Sequence, residues 1–157
     1  MSAKTKIIDF KKLCLFLANN KNLKIVLVTG CFDILHRAHK DFLKAASQQG
    51  NLLIVGLEPD KRVKLLKGNN RPANLFRKRA VNLSLLEWVD YIFSLPIDFS
   101  YETEQLKLLL LIKPNILAVS ENTPYLPKKK RLIEKIGGKI FIFPFNSRYS
   151  TTRLLTN

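Results

Sequence analysis

Acidic residues are scarce in this chain: 12 Asp and Glu stand against 27 Lys and Arg, a formal net charge of +15 at neutral pH. A field of that sign favours polyanionic ligands: nucleotides, phosphorylated metabolites or nucleic acid. Cysteine is nearly missing. Cys14 falls in an apolar helical pattern and Cys31 just after a strand, so there is no disulfide framework, and a reducing compartment is expected. No apolar run reaches bilayer length, and Met1 to Asp9 carries no signal-peptide core; a cytoplasmic protein without a membrane partner is expected. Repeats and low-complexity linkers are lacking too. What remains, at 157 residues and 46% hydrophobic, suffices for one compact domain spanning 1–157, with an N-terminal helical extension at about 1–22.

Five short apolar segments recur: Ile25 to Val28, Leu52 to Val55, Tyr91 to Phe93, Ile116 to Val119 and Ile140 to Phe143. Their hydrophobicity is continuous rather than alternating, which predicts strands buried on both faces of a parallel sheet. Helical patterns lie between them, at about Lys40 to Gln49, Leu75 to Leu86, Thr103 to Ile112 and Lys128 to Ile136, with a further helix over Phe10 to Ala18 and a short one over Ser150 to Leu155 capped by Ser150. Most lysines, such as Lys128, Lys129 and Lys130, read as a solvated helix start. Right-handed crossovers turn this order into an α/β three-layer, Rossmann-like sandwich with five strands in the order 3-2-1-4-5. Its ligand crevice falls between the first and fourth strands, lined by Gly30 to His39 and by Ser120 to Tyr125.

The most informative stretch is Thr29-Gly30-Cys31-Phe32-Asp33-Ile34-Leu35-His36-Arg37-Ala38-His39, which joins a buried strand to a helix through a glycine and ends in two histidines three residues apart. Residues at i and i+3 share a helix face, and a helix start carries unsatisfied N–H groups and a positive dipole end. Those ingredients suit an anion, above all a phosphate. Two other readings stand beside this one. The histidines serve as a packed or surface pair, or they join Cys31 at a metal, although no second cysteine pair or acidic cluster completes that shell.

The stretch from Gly30 to His39 resembles the GxFDxxHxGH signature of the cytidylyltransferase-like nucleotidyltransferases. Two later pieces agree: Lys67-Gly68-Asn69-Asn70-Arg71-Pro72 followed by Arg79-Ala80, and Tyr149-Ser150-Thr151-Thr152-Arg153-Leu154. Their order and spacing look most like the adenylyltransferase domain that activates heptose 1-phosphate, and also like glycerol-3-phosphate cytidylyltransferase. The resemblance implies transfer of AMP, in preference to CMP, from ATP or CTP to a small phosphorylated acceptor such as a sugar or polyol phosphate, with release of pyrophosphate and help from Mg²⁺. It assigns catalysis to His36, His39 and Lys67 and nucleotide binding to Gly30, Cys31, Phe32, Asp33, Arg79, Ser150, Thr151 and Thr152, with no metal held by the protein. It also implies a homodimer.

The departures are specific. Ala38 stands where the signature has its second glycine, Arg148 where heptose-type members have glycine, and Ser120-Glu121-Asn122-Thr123-Pro124-Tyr125 where they carry a KGGDY-type segment. Ala38 and the altered 120–125 segment motivate a second reading, a nucleotide-binding regulatory module with degenerate catalysis. The charge motivates a third, a basic nucleic-acid-binding domain, against which stands the lack of a stacking array of aromatic and basic residues.

Overall fold

Each of the five apolar segments becomes a strand of one all-parallel sheet in a computed structural model that describes residues 6–144. The elements run α1 (Phe10–Ala18), β1 (Ile25–Gly30), α2 (Arg37–Ser47), β2 (Leu52–Leu57), α3 (Asp60–Lys67), α4 (Phe76–Ser84), β3 (Tyr91–Ser94), α5 (Glu102–Ile112), β4 (Ile116–Ser120), α6 (Leu126–Lys135) and β5 (Lys139–Phe143). The strand order is β3-β2-β1-β4-β5, as the crossover rule requires of this element sequence. The short helix expected over Ser150 to Leu155 lies outside the described residues.

Period-two alternation splits every strand between two cores. Ile25 and Leu27 of β1 face the layer of α1, α5 and α6, packing with Leu13, Leu109 and Ile133. Val26 and Val28 face α2 and α4, packing with Leu43, Ala46 and Leu83. Burying a side chain of this size contributes about 1.5–3 kcal/mol, and β2 is buried along its whole length. That two-sided burial is why the strands read as unbroken apolar runs.

The crossovers on either side of β1 leave the sheet in opposite directions. From β1 the chain turns to the α2 face, and from β4 to the α6 face, so their carboxyl ends open a crevice between two loops. One helix, α3, has no counterpart among the expected elements. Its punctuation is nonetheless present in the chain: Pro59 precedes it, Asp60 occupies its first turn and Gly68, at φ 104°, ends it.

Candidate active site

The site begins where β1 stops. A Cβ on Gly30 would lie 2.9 Å from Phe32 Cε2, so a hydrogen at that position is what lets the phenylalanine ring fold back under the strand end. Phe32 itself sits at φ 45°, a left-handed conformation that costs an aromatic residue about 1–2 kcal/mol. Its buried ring packs edge-on against His39, with centroids 5.2 Å apart. Gly30 and Phe32, expected as nucleotide contacts, thus form the floor beneath the histidine.

His36 is the N-cap of α2 and His39 the third residue inside it. The His39 amide donates to His36 Nδ1 at 3.4 Å, and the His36 amide donates back to His39 Nδ1 at 3.5 Å. These are long bonds, but they form a reciprocal cap of the kind usually made by serine and glutamate. The rings stack, 3.7 Å between centroids and 15° between planes. A ring that accepts at Nδ1 carries its proton on Nε2, so both imidazoles are neutral donors. Burial, then the neighbouring His36, pushes His39 down to about 3, with Lys67 adding to the effect and a hydrogen bond with the Ile34 backbone opposing it. Burial also lowers His36. Capping moves the start of α2 to Arg37, three residues ahead of the expected Lys40.

Asp33 is buried, and it organises the opposite loop. Its carboxylate accepts from the Asn74 amide at 2.8 Å, the Ala73 amide at 2.8 Å and Arg71 Nε at 2.9 Å, while Asn74 Nδ2 donates to its backbone carbonyl at 2.7 Å. Burial alone would raise its pKa; the two amides and Arg71 outweigh that and hold the carboxyl below the usual range. Arg79, expected as a nucleotide contact, is fully buried and spends its guanidinium on the protein: Nε donates to Asn74 O, Nη1 to Cys31 O and Glu58 O, and Nη2 to Asp60 Oδ1. In this structure both residues join the ends of β1 and β2 to the segment 71–74. Sequence reasoning passed over Arg71 and Asn74 as side chains with a task; the Arg71-Pro72 turn was their signal. Arg71 Nη2 is buried and has no hydrogen-bond partner among the described residues.

Lys67, exposed at the end of α3, is near enough that its charge lowers both His39 and Cys31. Its loop therefore converges on the histidine loop. Burial pushes the Cys31 thiol up against the pull of Lys67, so at neutral pH it is a thiol and not a thiolate. Among the described residues no three His, Cys, Asp or Glu side chains are grouped to hold a metal ion. The nearby carboxylates are engaged as well: Asp33 with Arg71, Glu58 with Arg62 and Asp60 with Arg79. This donor set does not fit a resident magnesium ion.

On the other wall, Ser120 ends β4 and its hydroxyl bonds to Asn122, the Glu121 amide donates to Phe143 O at 2.7 Å, and Tyr125 turns the chain into α6 at φ 58°. Ser150, Thr151 and Thr152 lie outside the described residues, as does Arg148. An apolar groove of about 270 Å³, lined by Phe10, Phe93, Pro96 and Leu108, opens at the β3 edge; without converging phosphate donors it is not the site.

The cytidylyltransferase-like family matches residues 27–154. A bifunctional protein HldE from Helicobacter hepaticus is 44% identical over 113 residues, covering 72% of this chain and 22% of its own length, and one from Psychromonas ingrahamii is 36% identical, covering 92% and 29%. The chain thus spans less than a third of these curated relatives. The lipopolysaccharide core biosynthesis protein of Thermoplasma volcanium superposes with a TM-score of 0.64 at 24% identity, over 82% of this chain and all of its own. At that identity the likeness shows the fold.

Proposed function

The chain belongs to the cytidylyltransferase-like family of nucleotidyltransferases, and from that premise we propose that it transfers AMP from ATP to a small sugar phosphate and releases pyrophosphate. An acceptor phosphate oxygen attacks the α-phosphorus, a new P–O bond forms, and the bond from the α-phosphorus to the α–β bridging oxygen breaks. The acceptor is already anionic, so no strong base is required and catalysis consists of alignment and charge neutralisation. His36 donates Nε2–H to an oxygen of the α-phosphoryl group as charge builds on it, and His39 does so by exchanging the Ile34 backbone for a phosphoryl oxygen. Lys67 neutralises the phosphates, and Ser150, Thr151 and Thr152 hold the β- and γ-phosphates. Magnesium enters as the counterion of the triphosphate, bound by phosphate oxygens and water.

The observation that carries this reading is the stacked, reciprocally capped histidine pair at the carboxyl end of β1, within the field of Lys67. Its geometry is fixed before any ligand arrives, which is what a donor aimed at developing charge requires. Adenine and a sugar acceptor are proposed from the curated relatives, whose HldE name is shared at 32–44% identity.

The test is pyrophosphate release by purified protein with Mg²⁺, ATP or CTP and a panel of heptose, other sugar and polyol phosphates. His36→Ala and His39→Ala should each lower kcat by about 10²–10³, the usual loss of one oxyanion donor. Nucleotide binding without turnover across the panel would favour the degenerate regulatory module, for which Ala38 is the motivating residue. Equal turnover by the histidine variants would overturn the mechanism.

A further inference from the structure

Helix α6 opens Leu126-Pro127-Lys128-Lys129-Lys130, three consecutive cations near the positive end of a helix dipole with no acidic residue in the first turn. The three lysines do not share one environment. Lys130 is exposed, as a solvated helix start should be, and Lys128 lies over the Tyr125 ring with Nζ 5.1 Å from its centroid. Lys129 turns inward and is half-buried, its ammonium donating to Thr123 Oγ1. No carboxylate lies within 4.0 Å of it among the described residues. A partly desolvated ammonium with one hydroxyl acceptor has donors to spare.

Its place follows from the fold: its partner Thr123 lies in the loop after β4, and β4 pairs with β1, so the ammonium stands on the wall beside the carboxyl end of β1. Burial depresses Lys129 most, Lys128 depresses it further, and Glu58 acts in the opposite sense. Glu58 follows β2, whereas α6 follows β4, and these two strands flank β1. Lys129 and Glu58 therefore stand on opposite sides of the carboxyl end of β1, near enough for their charges to interact. Glu58 also acts on Cys31, the residue that follows β1. Glu58 is already held by Arg62, so it is not a full counterion for Lys129.

We propose that Lys129 is a phosphate-binding residue of the nucleotide site, exchanging Thr123 for oxygens of the triphosphate and closing the crevice from the α6 side. This rests on the nucleotidyltransferase reading above and adds to it a cation from the wall opposite Lys67. A neutral residue of similar length, Lys129→Met, removes the charge, Lys129→Arg keeps it, and Lys130→Met removes an exposed neighbour as control.

Binding of ATP and of adenosine is measured by calorimetry for each protein, with CTP and cytidine in parallel, alongside pyrophosphate release. Lys129→Met should weaken triphosphate binding about 10–100-fold, the size of one charged hydrogen bond, and leave the nucleoside unchanged. Lys129→Arg should recover most of the loss, and Lys130→Met should stay within about twofold of wild type. Unchanged triphosphate affinity in Lys129→Met, with wild type active, overturns this inference alone. Equal loss of triphosphate and nucleoside assigns Lys129 to the shape of the crevice and overturns it too. If wild-type protein binds neither triphosphate, the parent reading fails and this one with it.

Discussion

His39 holds a proton balance opposite to that of a surface histidine. Burial and its stacked neighbour keep the ring neutral down to about pH 3, against an ordinary value of 6.5. A depressed folded-state pKa means that only the unfolded chain takes up the proton between those values, so stability is intact above about pH 6.5 and is lost as pH falls toward 3. Ring resonances followed by NMR should show His39 silent near pH 6.5. In thermal melts, His39→Asn should lose less Tm than wild type on going from pH 7 to pH 4. A His39 titrating near 6.5, or equal acid sensitivity of the two proteins, would mean that the ring is not held as the stacked geometry requires. The same neutrality bears on catalysis, since a neutral Nε2–H donates to phosphate in proportion to its placement and not to its charge. The packing of Phe32 under the ring is therefore part of the chemistry, through position alone.

At the scale of elements, the loop between α3 and α4 is held by one carboxylate. Asp33 satisfies two amides and a guanidinium that would otherwise be buried without acceptors, so Asp33→Asn strands Arg71 as an unpaired buried charge. Breaking such a pair costs about 3–5 kcal/mol. Chemical denaturation should show a loss of that order, and hydrogen exchange at the Ala73 and Asn74 amides should accelerate well beyond that of the α4 amides. A variant as stable as wild type, with those amides still protected, would remove the loop from Asp33's control. Here the limits of sequence reading are physical. The strands were legible because burial on both faces leaves an unbroken apolar signal, and the histidine pair because its spacing is local. The complete burial of Arg79 was not, since in the segment Phe76-Arg77-Lys78-Arg79 it differs from its exposed basic neighbours only in which way the helix turns. Helix α3 hides for a related reason: Leu65 and Leu66 are exposed while Arg62 and Val63 are buried, so its apolar residues do not mark its inner face. Lys129 and Lys130 are neighbours in a run of identical residues, and only the fold separates them.

Across the whole molecule, the charge of +15 acts on any phosphorylated ligand before it reaches the crevice. This field comes from many exposed lysines and arginines, and exposed charges are screened over a Debye length of about 10 Å at 0.1 M salt. The histidines, by contrast, are partly buried neutral groups whose hydrogen bonds are short-range and insensitive to ionic strength. Salt should therefore separate capture from chemistry: between about 50 and 300 mM, KM for ATP should rise severalfold while kcat changes by less than about twofold. Binding to a nucleic-acid duplex behaves differently, because each neutralised phosphate releases counterions and the affinity falls with the power of their number, by about 10³–10⁵ over a fourfold rise in salt for six to ten contacts. A short duplex should accordingly fail to displace ATP at 150 mM salt if the basic surface serves only to attract small anions. Displacement of ATP by duplex at that ionic strength, with the steep slope of counterion release, would instead make the charge a binding surface in its own right and nucleic acid the ligand that the fold presents it to.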